Sequence, residues 1–234
     1  IQYRAFVADP LARQRYWARS VLGWPRMAGA QPNAAHRALA ALEHAGVITG
    51  VITQNVDRLH ARAGSRAINE LHGALAEVIC LGCRRLSPRA HLQEELLELN
   101  PGWLSRPVDY APDGDAELPL ALVSEFRVRA CTACGGVLKP HVVFFGEAVP
   151  KDRVALGYEL IERSSALLIV GSSLAVFSGY RFVRHAASRK LPIVIVNLTE
   201  SRADAFATLR VPAKAGEILP PLASALLGRA SEHA

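Results

Sequence analysis

Two short apolar runs with a helical stretch between them constrain the fold most strongly. The runs are residues 166–170 and 192–196, both rich in β-branched side chains, and residues 178–189 between them carry apolar residues at helical spacing. A strand, a helix and a strand in so short a span predict a βαβ crossover with parallel strands. A similar run at 47–53 predicts a third strand, buried on both faces. The sequence therefore predicts an α/β fold: a Rossmann-like parallel sheet with helices on both faces.

The remaining segments supply helices to that sheet and interrupt it once. Helices are predicted at residues 33–45, 89–99, 152–163 and 218–227. Residues 1–32 mix aromatic residues, arginines and prolines, which predicts short helices and loops. Residues 77–138 break the strand–helix alternation, hold all four cysteines and include a Pro/Gly/Asp-rich piece at 111–115. They are predicted to form an inserted small module.

Composition excludes several classes of protein. The 234 residues carry 27 Lys and Arg against 21 Asp and Glu, a net charge of +6, and 50% of them are hydrophobic. Such a chain is neither disordered nor disulfide-dense. No run approaches the roughly 18 apolar residues of a membrane span, so no membrane partner is expected. The basic residues are scattered among acidic ones, so no direct nucleic-acid partner is expected either.

The cysteines form two CxxC pairs, Cys80 with Cys83 and Cys131 with Cys134. Two such pairs supply the four thiolates of a tetrahedral zinc site. The 47 residues between the pairs exceed the usual spacing, but closing a longer loop adds little entropic cost. Two disulfides or unpaired core thiols are the alternatives, and nothing in the sequence indicates an oxidising compartment. Because four thiolates leave no open position, the one predicted zinc is structural.

This module divides the chain into four predicted segments. They are a helical segment at 1–46, the first part of a Rossmann-like domain at 47–76, the zinc-binding module at 77–138 and the second Rossmann-like part at 139–234. Reduced cysteines and the lack of a visible signal segment favour a cytoplasmic location. The oligomeric state stays open, with a monomer favoured.

Polar motifs follow the predicted strands at their carboxyl ends, where open α/β sheets bind ligands. Residues 53–60 follow the first strand, 171–173 the second and 197–200 the third. Small residues before a helix let backbone N–H groups approach a phosphate or a ribose. An ordinary strand-to-helix turn, with Asn55 or Asp57 as its N-cap, is an equal alternative for the first motif. Neither GxGxxG nor GxxxxGK[ST] occurs, so the usual phosphate loop is missing.

A histidine follows in the Glu70-Leu71-His72-Gly73 motif. His72 has an ordinary pKa that allows it to act as a base near neutral pH. A histidine beside a glycine is more often structural, and His36, His60 and His141 are comparable candidates on chemistry alone.

Taken in order, these motifs resemble the sirtuin (Sir2) family of NAD-dependent protein lysine deacylases. The matching pieces are residues 53–60, 64–65, 70–73, both CxxC pairs, 139–147, 171–174 and Asn197. Residues 13–19 and the long insert between the cysteine pairs are most similar to the class II branch. The resemblance implies NAD as cofactor and acylated-lysine proteins as substrates. The acyl group would pass to ADP-ribose as nicotinamide is released.

The resemblance also implies roles for single residues. The catalytic residues would be His72, as general base, and Asn55. The cofactor-binding residues would be Gln54, Asn55, Val56, Asp57, Gly171, Ser172, Ser173, Asn197, Leu198, Thr199 and Ala215. The zinc ligands would be Cys80, Cys83, Cys131 and Cys134. The acyl-lysine peptide would pair by β-augmentation with Val143, Phe144, Phe145 and Gly146.

Tyr16 and Arg19 have the spacing with which sirtuins that remove acidic acyl groups hold a carboxylate. Residues at i and i+3 share one face of a helix, and an arginine can form a bidentate pair with a carboxylate. A surface arginine beside a packed tyrosine is the alternative.

Two other functions stay open beside the deacylase. One is a protein mono-ADP-ribosyltransferase, which shares the ribosyl-transfer step. The other is a catalytically impaired, zinc-stapled interaction module of sirtuin ancestry, which the missing phosphate loop supports. The intact Gln54, Asn55, Asp57 and His72 argue against the module.

The chain begins at Ile1 and lacks the GAGxS segment and the aspartate-arginine pair of the family, which would lie just upstream. We expect a first strand and phosphate loop to precede Ile1, where a mitochondrial targeting segment could also lie. Backbone donors to a diphosphate contribute much of its affinity. We therefore expect these 234 residues to bind NAD weakly and the full-length protein to be active. NAD titration of both lengths checks this, and equal affinity would contradict it.

Overall fold

The computed structural model describes residues 1–106, 109–110 and 116–231. The Pro/Gly/Asp-rich piece at 111–115 lies outside the described residues. The helices are α1 (Tyr3–Ala8), α2 (Pro10–Gly29), α3 (Ala34–His44), α4 (Leu59–Arg62), α5 (Arg89–Leu99), α6 (Leu120–Glu125), α7 (Lys151–Glu162), α8 (Phe177–Ser188) and α9 (Ala215–Ser231). The strands are β1 (Val51–Thr53), β2 (Ile68–Glu70), β3 (Gly73–Cys80), β4 (Leu86–Pro88), β5 (Asp109–Tyr110), β6 (Ala116–Glu117), β7 (Leu138–Val142), β8 (Leu167–Val170), β9 (Ile193–Val196) and β10 (Leu209–Val211).

The chain forms two compact units. The first unit contains Ile1–Ala30 and Gly73–Ala148, and the second contains Gln31–His72 and Val149–Ala234. The four segments predicted above, which divide after residues 46, 76 and 138, stay a prediction. Within the described residues, no helix combines the length and the apolar character needed to cross a bilayer.

Parallel strands form the centre of the second unit. Strands β8, β9 and β10 make one sheet in the order β10–β9–β8, with Leu167 opposite Ile193 and Val170 opposite Val196. Helix α8 connects β8 to β9, which confirms the predicted βαβ crossover. Strands β1 and β2 make a second parallel pair. Only Thr53 of β1 is buried, so the prediction of a strand buried on both faces from residue 47 onward is wrong.

Alternate side chains of β8 pack against different helical layers. Ile169 belongs to a core cluster with Ile161 of α7 and Phe182 of α8. Leu168 and Val170 pack against the cluster that α3 and α9 share. Because side chains alternate across a strand, helices cover both faces of this sheet. The predicted Rossmann-like α/β architecture is confirmed.

Helix α2 corrects the prediction of short helices and loops at residues 1–32. It runs for 20 residues and begins where the Asp9 side chain accepts a hydrogen bond from the Leu11 backbone N–H at 2.8 Å. Pro10 at the first helical position lacks the N–H that would be unpaired there. Trp17 is 1% exposed, and its indole N–H donates to the Leu138 carbonyl at 3.3 Å. Tertiary burial therefore sustains a helix whose composition looks irregular.

An antiparallel sheet forms the centre of the first unit. Its strand order is β4–β3–β7, with Ile79 opposite Leu86 and Cys80 opposite Leu138. The Trp103 indole N–H donates to the Ala18 carbonyl at 3.0 Å, which adds a second anchor for α2. The turns at the ends of these strands carry the cysteines.

Gly157 in α7 yields a stability prediction. A Cβ atom at this position would lie 2.4 Å from the ring of the buried Phe182. We expect Gly157→Ala to destabilise the protein by about 1–2 kcal/mol, because overpacking outweighs the better helix propensity of alanine. Gly23→Ala in α2 is the matched control, since nothing lies within 4 Å of its added methyl group. Denaturant unfolding measures both variants, and equal free energies of unfolding would contradict the prediction.

Candidate active site and metal centre

The loop after β1 is a tight turn built from its own polar side chains. The Asn55 backbone N–H donates to Thr53 Oγ1 at 3.1 Å, and the Leu59 N–H donates to Asp57 Oδ1 at 2.9 Å. The N-cap position of α4 is Arg58, with no side-chain cap hydrogen bond, so neither Asn55 nor Asp57 is the N-cap that the strand-to-helix alternative predicted. Asn55 is exposed and Val56 is half-buried. The turn leaves the Asn55 side chain available to a ligand.

Gln54 connects three of the predicted motifs. Its side-chain Nε2 donates to Ser172 Oγ at 3.2 Å, and its backbone carbonyl lies 3.2 Å from His72 Nδ1. A Cβ atom on Gly179 would come within 2.7 Å of the Gln54 amide carbon. A side chain at position 179 would therefore displace the Gln54 amide from this position.

His72 is held by hydrogen bonds at both ring nitrogens. Nδ1 faces the Gln54 carbonyl, and Nε2 lies 2.8 Å from Ser178 Oγ. Because a carbonyl oxygen can only accept, we assign the proton to Nδ1 from this network. Burial lowers the pKa of His72, the Gln54 carbonyl opposes that shift, and the positive charge of Arg153 adds to it. His72 is therefore neutral near neutral pH, with an unprotonated Nε2.

The segments after β8 and β9 meet at Asn197. Its side-chain amide donates to the Thr199 carbonyl at 3.0 Å and lies 3.5 Å from the Ser172 carbonyl. Gly171 adopts a positive φ of +59°, which L-residues with side chains adopt only under strain. Ser173, Leu198 and Thr199 are exposed. The backbone here is open to a ligand.

Ala215 stands apart from that network. It begins α9 and packs against the core cluster that α9 shares with α3. In the part of the chain that the structure describes, Ala215 makes no hydrogen bond to Gln54, Ser172 or Asn197.

The four cysteines of the first unit cluster as predicted. All four Sγ atoms lie within 4.8 Å of one another, with Cys80 and Cys134 at 3.4 Å and Cys83 and Cys131 at 3.8 Å. A tetrahedron of sulfurs around zinc has edges of about 3.8 Å, given zinc–sulfur bonds of about 2.3 Å. None of the four is in a disulfide, so the disulfide alternative is wrong. The thiols fit one tetrahedral zinc ion.

Two similar turns hold these thiols. The Cys80 N–H donates to the Arg85 carbonyl at 2.9 Å, and the Cys131 N–H donates to the Gly136 carbonyl at 2.9 Å. Hydrogen bonding to the backbone of Cys83 lowers the pKa of Cys80 to about 6, against the opposing effect of burial. Zinc binds the thiolate form. The Gly136 backbone lowers the pKa of Cys134, but the neighbouring thiols raise it to about 11, so the metal-free cluster favours a thiolate at Cys80 and a thiol at Cys134.

The predicted substrate segment also lies in the first unit. The Phe144 ring packs edge-on against Tyr16, with ring centroids 5.4 Å apart. The Phe145 carbonyl accepts a hydrogen bond from the Tyr3 N–H at 2.9 Å, and its side chain is 63% exposed. Gly146 adopts a φ of +79°. Arg19 lies on α2 and is half-buried.

Sequence reasoning missed residues that shape both regions. Lys139 is 2% exposed and pairs with Glu147 at 2.9 Å, while Glu147 also accepts from the Phe144 N–H at 3.0 Å. A lysine inside an apolar strand was the signal for this pair. Ser178, which contacts His72, had no sequence signal of its own.

The chain combines a Rossmann-like unit, a neutral histidine beside the ends of its strands and a Cys₄ centre. Together these features define a sirtuin-type protein. Residues 2–178 match the Sir2 family model, and the chain belongs to the Sir2 family. The NAD-dependent protein deacetylase 1 of Mycobacterium avium is 54% identical over 228 residues, which cover 95% of this chain and 80% of that protein. The mitochondrial NAD-dependent protein lipoamidase sirtuin-4 of Bos taurus is 47% identical over 94% of this chain and 70% of that protein.

Solved sirtuin structures agree with the fold. A structure from work on sirtuin substrate affinity has a TM-score of 0.75 at 30% identity, and covers 98% of this chain and 84% of that one. Sir2Tm bound to a propionylated peptide has a TM-score of 0.74 at 30% identity, and covers 98% of this chain and 83% of that one.

The close approach of Gly136 to the thiols gives a prediction for metal binding. A Cβ atom there would lie 2.9 Å from Cys80 Sγ and 3.1 Å from Cys134 Sγ. We expect the native protein to bind one zinc per chain, and Gly136→Ala to lose most of it although every ligand remains. Thr132→Ala, in the same turn, should keep its zinc. Metal analysis of the purified proteins measures all three, and full occupancy in Gly136→Ala would contradict the prediction.

Proposed function

We propose that the protein is an NAD-dependent protein lysine deacylase with His72 as its general base. The observation that carries this proposal is the placement of the His72 ring, whose Nδ1 lies 3.2 Å from the Gln54 carbonyl and whose pKa is lowered by burial. A general base must be unprotonated at working pH and fixed in one tautomer. Curated relatives of this chain carry names of the same activity.

Residues around Gln54 suit the binding of NAD. Gly171 faces open space where a side chain would begin, and Asn55 and Thr199 are exposed beside the strand ends. Backbone N–H groups, amides and hydroxyls at such positions bind ribose and phosphate oxygens. We assign nicotinamide and ribose contacts to Gln54, Asn55, Val56 and Asp57. We assign the adenosine side to Gly171, Ser172, Ser173, Asn197, Leu198, Thr199 and Ala215.

The chemistry then divides between the cofactor and the protein. When bound, NAD supplies a ribosyl carbon that can accept the acyl oxygen as nicotinamide leaves. Nε2 of His72 would be the final acceptor of the proton that a ribose hydroxyl loses, and the Gln54 carbonyl would stabilise the resulting imidazolium through Nδ1–H. The zinc takes no part, because four thiolates saturate it.

The substrate side rests on residues of the first unit. The exposed Phe145 and the turn at Gly146 suit pairing with an extended peptide, and Val143 and Phe144 would line the acyl-lysine. For the acyl group we propose either an acetyl group or a chain ending in a carboxylate, with Tyr16 and Arg19 as the contacts of the carboxylate. Tyr16 packs on Phe144 beside the proposed acyl-lysine segment, and it packs on Phe6 and Trp17 as well, as the packed-tyrosine alternative expects. Rates on acetyl- and succinyl-lysine peptides separate the two, and no gain from the acidic acyl group would exclude the carboxylate contacts. A monomeric state and a cytoplasmic location complete the proposal.

Replacing His72 tests the function. We expect His72→Ala, in the full-length protein, to lower lysine deacylation by about 10²–10⁴-fold, the range typical of a lost general base. The parent rate should fall in acid as the imidazole protonates, with a midpoint below 6.5, because the pKa of His72 is lowered. His91→Ala, an exposed histidine on α5, is the matched control.

Two results would decide against the enzyme. If parent and His72→Ala release nicotinamide at the same background rate, the interaction module is favoured. If the parent transfers ADP-ribose to a protein but removes no acyl group, the ribosyltransferase is favoured.

A further inference from the structure

The contact between Ser178 and His72 occupies the nitrogen that a general base must use. Ser178 Oγ lies 2.8 Å from His72 Nε2. The other ring nitrogen, Nδ1, holds the proton and faces the Gln54 carbonyl. The serine hydroxyl therefore donates its hydrogen to Nε2. In this arrangement no ring nitrogen remains for a substrate hydroxyl.

A hydroxyl group can resolve this conflict without moving. It donates one hydrogen bond and still accepts through its two lone pairs. Ser178 Oγ can accept a hydrogen bond from a second hydroxyl while it donates to His72. A direct approach to Nε2 would instead break the 2.8 Å hydrogen bond between Nε2 and Ser178 Oγ.

The surrounding structure keeps the serine in this position. Ser178 is the second residue of α8, so the helix backbone limits its movement. Gly179, the next residue, packs against the Gln54 side chain, and Gln54 holds the other side of the His72 ring. One short segment of α8 thus positions both the serine and the partner of Nδ1.

We propose that Ser178 is a catalytic residue that relays the proton of a ribose hydroxyl to His72. The ribose O–H bond breaks as its proton moves to Ser178 Oγ, and the Ser178 proton moves to Nε2. The products are a ribose alkoxide, an intact serine hydroxyl and an imidazolium whose two protons face Ser178 and the Gln54 carbonyl. Charge and atoms balance without another reactant. This inference rests on the proposed deacylase function.

The first test uses the ligand-free protein and needs no activity. A hydrogen bond from the Ser178 hydroxyl to the neutral imidazole favours the uncharged ring over the imidazolium. We expect Ser178→Ala to raise the pKa of His72, as followed by NMR titration of its ring. Ser188→Ala is the matched control, because Ser188 lies on the same helix and its hydroxyl bonds the His185 carbonyl at 2.7 Å. An unchanged His72 pKa in a folded Ser178→Ala protein would overturn the contact.

The second test separates the relay from a purely structural role in the full-length protein. Nicotinamide exchange precedes the base-dependent step, so Ser178→Ala should retain it while acyl transfer falls by about 10²-fold. In mixtures of H₂O and D₂O, a plot of the parent's acyl-transfer rate against the deuterium fraction of the solvent should be curved. A curve is expected because two protons move in the relay step, whereas one moving proton gives a straight line. Ser188→Ala should behave as the parent.

The remaining outcomes distinguish a failure of the relay from a failure of the proposed function. Equal losses of exchange and transfer in Ser178→Ala, or a parent rate linear in deuterium fraction, would overturn the relay. A parent without nicotinamide exchange or deacylation would instead overturn the proposed function, whatever the NMR titration gives.

Discussion

The second unit depends on the position of Gln54. Its backbone carbonyl fixes the tautomer of His72, and its side chain reaches Ser172 in the loop after β8. Both contacts come from one residue, so Gln54 links His72 to the loop after β8. A side chain at position 179 would displace the Gln54 amide from this place. A substitution at Gln54 would remove the contact with Ser172 and keep the backbone carbonyl that faces His72, so the two contacts can be separated.

In the first unit, backbone hydrogen bonds shape the turns that hold the four cysteines. Cys80 and Cys131 each donate an N–H across a tight turn, and the turns bring four thiols together within 4.8 Å. Gly136 lies so close to two sulfurs that no side chain fits. The thiols are therefore gathered by main-chain geometry. Zinc binding then stabilises a cluster in which like charges would otherwise repel.

Sequence patterns predicted the features that follow from the spacing of residues along the chain. The β8–α8–β9 crossover follows from apolar runs of the right length, and the Cys₄ cluster follows from paired spacing. Helix α2 escaped prediction because Gly23 and Pro25 interrupt its pattern, while burial of Trp17 sustains it. The Ser178–His72 contact joins residues 106 positions apart. No local pattern records such a pairing, so only the folded structure shows it.

The environment of His72 balances two requirements of a general base. Burial lowers the pKa of His72 and keeps the ring neutral at working pH, but the same shift weakens the base. The Gln54 carbonyl acts in the opposite sense, because it stabilises the imidazolium once the proton arrives. The positive charge of Arg153 adds to the effect of burial. The proposed relay fits this balance, because a hydroxyl that donates to Nε2 can still accept the proton of a second hydroxyl.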